Sequence, residues 1–314
     1  MEGKKKKVEQ LSIIVPFYDE SESVEIFFER VMPVLKKTKL TFEVICINDG
    51  SKDDTFEKLL QQKRKISSIK IINFSRNFGK EAALTAGLDF STGDAVIPMD
   101  CDMQDPPELI IEMIKKWKEG VEVVLAKRVD RSSDGFLKRI TAELFYKIYN
   151  LLSDIELPEN VGDYRLMDRK VVEAVKTLKE QKRFMKGLFA FVGFKTATIE
   201  YTRPKREKGE TSWSYWRLWN YALDGITSFS TFPLKVCMYT GFLVTTISFL
   251  KGLWIIFKTL FCGVELPGYA SMMTAILFFG GLQMFCLGII GEYIGRIYTE
   301  SKQRPIYIVK DFIE

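Results

Sequence analysis

Asp100 and Asp102 stand one residue apart in the run Asp100-Cys101-Asp102-Met103-Gln104, directly after the apolar stretch Ala95-Val-Ile-Pro-Met99. Two carboxylates at this spacing on a strand-end turn can bracket a divalent cation, and Gln104 adds a neutral oxygen. A pair of acids alone is common in loops. The longer run to Glu108 is more distinctive, because Pro106 and Pro107 fix its exit and start a helix at Glu108. The sequence has no histidine, which excludes Ser-His and Cys-His mechanisms and His-ligated metals. A metal here is held by oxygen, which points to Mg²⁺ or Mn²⁺. Cys46, Cys101, Cys237, Cys262 and Cys286 form no CxxC pair, so zinc and redox motifs are unsupported. Such an odd, scattered set suits a reducing cytosol.

Three more polar clusters follow apolar runs. Pro16-Phe-Tyr18-Asp-Glu20 closes the first, Asn48-Asp49-Gly50-Ser51 the second, and Arg76-Asn-Phe-Gly-Lys80 the third. An Asp there can accept from a base N–H, an aromatic can stack on the base, and basic groups can neutralise a diphosphate. Each alone reads equally as an ordinary turn; together they outline a nucleotide pocket. No GxGxxG follows the first strand and no GxxxxGK[ST] is present, which disfavours dinucleotide dehydrogenases and P-loop enzymes.

These clusters need a scaffold. Leu11–Pro16, Phe42–Ile47, Ile69–Phe74, Ala95–Met99 and Val121–Ala126 read as strands, with helical spacing over Ser23–Leu35 and Glu81–Phe90 and a helix start favoured at Asp53 and Asp54. This alternation predicts an α/β fold with a mostly parallel sheet and helices on both faces, binding its ligand at the carboxyl ends of the strands.

The character changes beyond residue 210. Trp213, Tyr215, Trp216, Trp219 and Tyr221 suit a membrane interface, or pack in a core. Val236–Phe257 carries one charge, Lys251, and Leu266–Gly291 carries none. Each is long enough to cross a hydrocarbon core of about 30 Å. The link between them has Glu265 and no Lys or Arg, whereas Arg296, Lys302, Arg304 and Lys310 follow the second span. The positive-inside rule then puts both ends in the cytoplasm. The expected divisions are a cytosolic catalytic domain over 1–210, an interfacial segment over 211–232, two transmembrane helices over 233–298 and a cytosolic tail over 299–314, in the inner membrane. The charged N-terminus has no apolar core of a signal peptide. The net charge of +5 is modest, and no nucleic-acid partner is expected. Lys4–Lys7 reads as a solvated terminus, and the basic stretch 203–208 as a membrane-surface or phosphate-binding segment.

Ile14-Val-Pro-Phe-Tyr-Asp-Glu20, Asn48-Asp-Gly-Ser51, Arg76-Asn-Phe-Gly-Lys80, Asp100-Cys-Asp-Met-Gln-Asp105 and Gly162-Asp-Tyr-Arg165 resemble the motifs of family-2 inverting glycosyltransferases. The branch resembled is that of dolichol-phosphate mannose synthases and bacterial polyprenyl-phosphate glucosyltransferases of the GtrB type. The likeness extends over nearly the whole chain, through Gly291-Glu-Tyr-Ile-Gly-Arg-Ile-Tyr298 and Arg304-Pro-Ile-Tyr307. It implies a Rossmann-like GT-A fold and a nucleotide-diphosphate sugar donor, UDP-glucose first, with N-acetylhexosamine (UDP-GlcNAc) and GDP-mannose donors behind. It also implies a polyprenyl (undecaprenyl) phosphate acceptor and self-association, with a tetramer as one form. By resemblance, Asp49 contacts the base; Asp100, Asp102 and Gln104 hold the metal; Arg128 meets the diphosphate. Pro16, Tyr18, Glu20, Ser51, Lys80 and Cys101 complete the donor site. Asp163 lies close to the reacting centre, and Arg206 touches donor or acceptor phosphate. Ser212 stands where relatives often carry lysine, which shifts weight for the acceptor phosphate onto Arg203, Lys205, Arg206 and Lys208.

The expected reaction is a single displacement at the anomeric carbon by a lipid phosphate oxygen, with a nucleoside diphosphate leaving. Asp163 either orients the acceptor or stabilises positive charge on the sugar. Arg165 either binds acceptor phosphate or pairs with Asp163. A processive polysaccharide synthase is disfavoured by the lack of a Gln-x-x-Arg-Trp run. A non-catalytic nucleotide-sugar sensor or scaffold is disfavoured by the intact acidic run.

Overall fold

The computed structural model describes residues 10–130, 149–150, 153, 156–202, 227–228, 230–262 and 268–314. The first strand, β1 (Gln10–Phe17), is nearly continuously apolar because both of its faces are covered. Leu11, Ile13, Val15 and Phe17 enter one core, while Ile14 enters the other. This is the period-two alternation of a strand with helices on each side.

Helix α1 (Ser21–Lys37), α2 (Thr55–Lys65) and α4 (Leu109–Lys118) cover the first face. Helix α3 (Lys80–Phe90), α5 (Arg169–Thr177) and α6 (Met185–Phe191) cover the second. Gly87 lets α3 press onto β1: a Cβ there would stand 2.1 Å from Cγ2 of Ile14.

The remaining strands are β2 (Thr41–Asn48), β3 (Ile69–Phe74), β4 (Ala95–Pro98), β5 (Val123–Asp130), β6 (Val161–Asp168), β7 (Thr196–Thr202) and β8 (Val309–Ile313). They form one sheet in the order β7-β5-β6-β4-β1-β2-β3-β8. The expected α/β architecture is present, with a mixed, mostly parallel sheet. β6 runs antiparallel to both β4 and β5, so β5 is parallel to β4, and its carboxyl end shares an edge with those of β1–β4. The amino end of β6, with Gly162 and Asp163, meets that same edge.

Beyond the sheet, helices α7 (Phe232–Cys262) and α8 (Tyr269–Ser301) are long enough and apolar enough to cross a membrane. Both exceed the expected spans. At about 1.5 Å per residue α8 is roughly 50 Å long, so it outruns a hydrocarbon core of about 30 Å. Their apolar side chains face outward, with Phe242 73% exposed. Tyr293 on α8 donates to the carbonyl of Ser230 at 2.7 Å.

The segment expected as a tail returns to the sheet. β8 lies antiparallel to β3, beginning with Val309 opposite Phe74 at the carboxyl edge. Tyr307 stacks on Phe74 with ring centroids 5.2 Å apart. Glu300, at the end of α8, accepts the backbone N–H groups of Gln181 and Lys182 at 2.8 and 3.3 Å. The helical pair is therefore tied back to the sheet at the edge that carries the acidic run.

Candidate active site

The acidic run alternates. Cys101, Met103 and Asp105 are buried, whereas Asp100, Asp102 and Gln104 are partly open on the other side. Cys101 and Met103 pack in the core that holds α4, so the thiol of Cys101 is turned away from the opening. Burial raises its pKa well above the usual thiol range, reinforced by the nearby carboxylates of Glu20, Asp100 and Asp102. Met103 takes a left-handed φ of 57°, and the backbone N–H of Gln104 donates to Asp102 at 3.1 Å. Two tyrosines anchor the exit of the run. Tyr201 on β7 donates to Asp105 at 2.7 Å, and Tyr164 on β6 to the carbonyl of Pro106 at 2.9 Å.

Lys80, the first residue of α3, joins this run to β6. Its ammonium lies 2.7 Å from Oδ1 and 2.9 Å from Oδ2 of Asp100, and 2.9 Å from Oδ2 of Asp163. Burial lowers the proton affinity of Lys80, but the two carboxylates more than reverse this and hold it well above the ordinary lysine range. For Asp163, burial opposes ionisation, yet Lys80, Lys186 and Arg165 draw the carboxyl well below its usual range. Arg165 is buried: it donates to the carbonyl of Gly162 at 2.6 Å and sits 4.3 Å over the ring of Phe189. Its effect on Asp163 is therefore one of charge.

Asp49 at the end of β2 is buried, and its two oxygens accept the backbone N–H groups of Phe78 at 2.7 Å and Gly79 at 2.9 Å. Burial outweighs these bonds and raises its pKa. Asp49 thus shapes the loop that delivers Lys80. The first and second loops are cross-tied as well: Ser51 accepts from the N–H of Asp19 at 3.1 Å, and Asp19 accepts from that of Lys52 at 2.7 Å. Tyr18 is 43% exposed at the same edge, and Pro16 and Glu20 are half-buried. Arg128 is half-buried near the end of β5, where its N–H donates to the carbonyl of Asn160 at 3.0 Å.

The structure thus brings Asp100, Asp163 and Lys80 into direct contact, and puts Pro16, Tyr18, Glu20, Asp49, Ser51, Asp102, Gln104 and Arg128 on the same sheet edge. Arg203, Lys205, Arg206, Lys208 and Ser212, together with the aromatic positions 213–221, lie outside the described residues. Lys186, Tyr164 and Tyr201 were not legible as site residues. Their partners are distant in sequence, and no local spacing marks them.

The donor set suits a hard divalent cation. Among the described residues no three acidic or thiol groups gather closely enough to enclose an ion. Asp100, Asp102 and Gln104 are each partly open, and such a set could hold an ion that completes its shell with water and phosphate oxygens. An ammonium already stands on Asp100 as a cation would.

Glycosyl transferase family 2 matches residues 12–176, and the GtrB C-terminal hairpin matches residues 232–297. An uncharacterized glycosyltransferase of Synechocystis is 51% identical over 96% of this chain and 95% of its own length. A prophage bactoprenol glucosyl transferase homolog of Escherichia coli is 49% identical over 96% and 98%, and the bactoprenol glucosyl transferase of Shigella phage SfV 50% identical over 96% and 98%. Among solved structures, mannosyl-3-phosphoglycerate synthase from Rubrobacter xylanophilus is 17% identical with a TM-score of 0.48, covering 69% of this chain and 71% of that one. With its first half matched by the one family and its apolar helices by the hairpin, the chain belongs to glycosyl transferase family 2.

Proposed function

We propose that this glycosyltransferase moves one glucose from UDP-glucose to polyprenyl phosphate at the cytosolic face of the inner membrane, with inversion at the anomeric carbon. One observation carries the reading: the hairpin of long apolar helices returns through β8 to the carboxyl edge of the sheet, where Asp100, Asp163 and Lys80 meet. An acceptor whose tail stays in the bilayer has to be met at such an edge. The named relatives, bactoprenol glucosyl transferases about 50% identical over nearly their full length, support the sugar and the lipid.

Asp100, Asp102 and Gln104 would hold Mg²⁺ or Mn²⁺, which supplies charge neutralisation to the leaving diphosphate. A phosphate oxygen of the acceptor forms the bond to C1 as the bond from C1 to the donor diphosphate breaks. The acceptor is already an anion, so no proton has to be removed. Asp163, kept ionised by its cationic neighbours, stabilises positive charge on the sugar, and Arg128 meets the diphosphate. The basic stretch 203–208 takes the acceptor phosphate. The catalytic part and both termini lie in the cytosol.

A panel of UDP-glucose, UDP-GlcNAc and GDP-mannose, offered with polyprenyl phosphate and with a water-soluble phosphate, tests this. UDP-glucose should yield one β-linked hexose per lipid with release of UDP. Full activity on the soluble acceptor alone, or a polymeric product, refutes the reading.

A further inference from the structure

Asp100 offers both of its oxygens to the ammonium of Lys80, at 2.7 and 2.9 Å. A divalent ion on Asp100 and Asp102 would compete for the same two oxygens of Asp100 and would repel the ammonium. The side chain of Lys80 is 38% exposed, and a lysine is a compact charge on a flexible stem, so it has room to withdraw. The second carboxylate, Asp163 at 2.9 Å, gives it a place to stay.

We propose that Lys80 is the exchange partner of the divalent cation. It fills the cation's place on Asp100 before loading and keeps only Asp163 afterwards, so its charge sets how tightly the ion is held. This rests on the reading of Asp100, Asp102 and Gln104 as the cation site. Two consequences follow. The ion binds weakly until a donor diphosphate brings negative charge to offset the ammonium, so ion and donor load together. Lys80 also remains beside Asp163, which stays an anion through the reaction.

The test is direct binding of Mn²⁺ to the full chain in detergent, followed by the electron paramagnetic resonance of the free ion, with and without UDP. Lys80→Met and Lys80→Gln should hold Mn²⁺ at least tenfold more tightly than wild type when UDP is absent. Lys80→Arg should stay near wild type, and UDP should tighten Mn²⁺ binding more in wild type than in the neutral variants. Thermal unfolding identifies which of the two neutral variants is folded. Unchanged or weaker Mn²⁺ binding in a folded neutral variant overturns the proposal, and so does an Arg variant that behaves like Met. If Asp102→Asn abolishes Mn²⁺ binding while neutralising Lys80 changes nothing, only the role of Lys80 falls. If wild type holds no Mn²⁺ even with UDP, the cation site itself falls, and the role of Lys80 with it.

Discussion

The phenol of Tyr201 donates to the buried carboxylate of Asp105 at 2.7 Å. That bond ties β7, on one flank of the sheet, to the exit of the acidic run. Removing one partner of a buried hydrogen bond costs about 1–3 kcal/mol. Tyr201→Phe keeps the ring and removes the bond. It should lower stability by about that amount in thermal unfolding and raise the Mn²⁺ concentration needed for half-maximal transfer. An unchanged metal requirement would show that the bond does not hold the run in place.

Gly50 has a φ of +65°, and a Cβ there would stand 2.3 Å from the carbonyl carbon of Arg76 and 2.5 Å from the nitrogen of Asn77. The left-handed conformation alone costs a residue with a Cβ about 1–2 kcal/mol, and the clash is with backbone, which cannot swing aside. Gly50→Ala should therefore lower the melting temperature, by about 2–4 °C per kcal/mol lost. It should also weaken UDP binding, because the loop that moves is the one delivering Lys80. Calorimetry with and without UDP checks both.

Glu43 is buried and accepts from Ser12 at 2.5 Å and from the N–H and hydroxyl of Thr92 at 2.7 and 3.0 Å, with Lys70 3.3 Å away. Burial favours its neutral form, but these partners prevail and its pKa lies below the ordinary value of 4.5. A depressed carboxyl stabilises the fold above its unfolded pKa and loses that contribution as pH falls through the folded one. Stability should thus drop as pH is lowered below about 4.5. Glu43→Gln should be less stable at neutral pH and should lose less stability than wild type across that window, the part that remains coming from other depressed carboxyls such as Asp163. Parallel unfolding curves for the two proteins at every pH would contradict the assignment.

The strands β1–β4 were legible because each is a near-continuous apolar run closed by turn residues, the pattern of a strand buried on both faces. β6 was not, since Asp163 and Arg165 break its apolar run; one reaches the site edge and the other is stacked under it. β8 was hidden for the same reason, with Lys310 and Asp311 inside a five-residue strand. The end of β5 was underestimated because Lys127, Arg128 and Asp130 look like loop. The acidic run itself was plain from spacing. Its pairing with Lys80 and Asp163 was not, because that contact depends on an antiparallel strand that local pattern does not reveal. The apolar spans were visible, but their longer helical ends carry charges such as Glu292, Arg296 and Glu300, which local pattern assigns to solvent.

The run from Asp100 to Gln104 is the proposed cation site, and turnover of the Asp102→Asn variant reads its role. With UDP-glucose and polyprenyl phosphate, the folded, membrane-inserted variant should lose transfer by about a hundredfold or more, measured as release of UDP and as glucosyl lipid. Near-normal turnover in that variant would mean that Asp102 does not hold the cation.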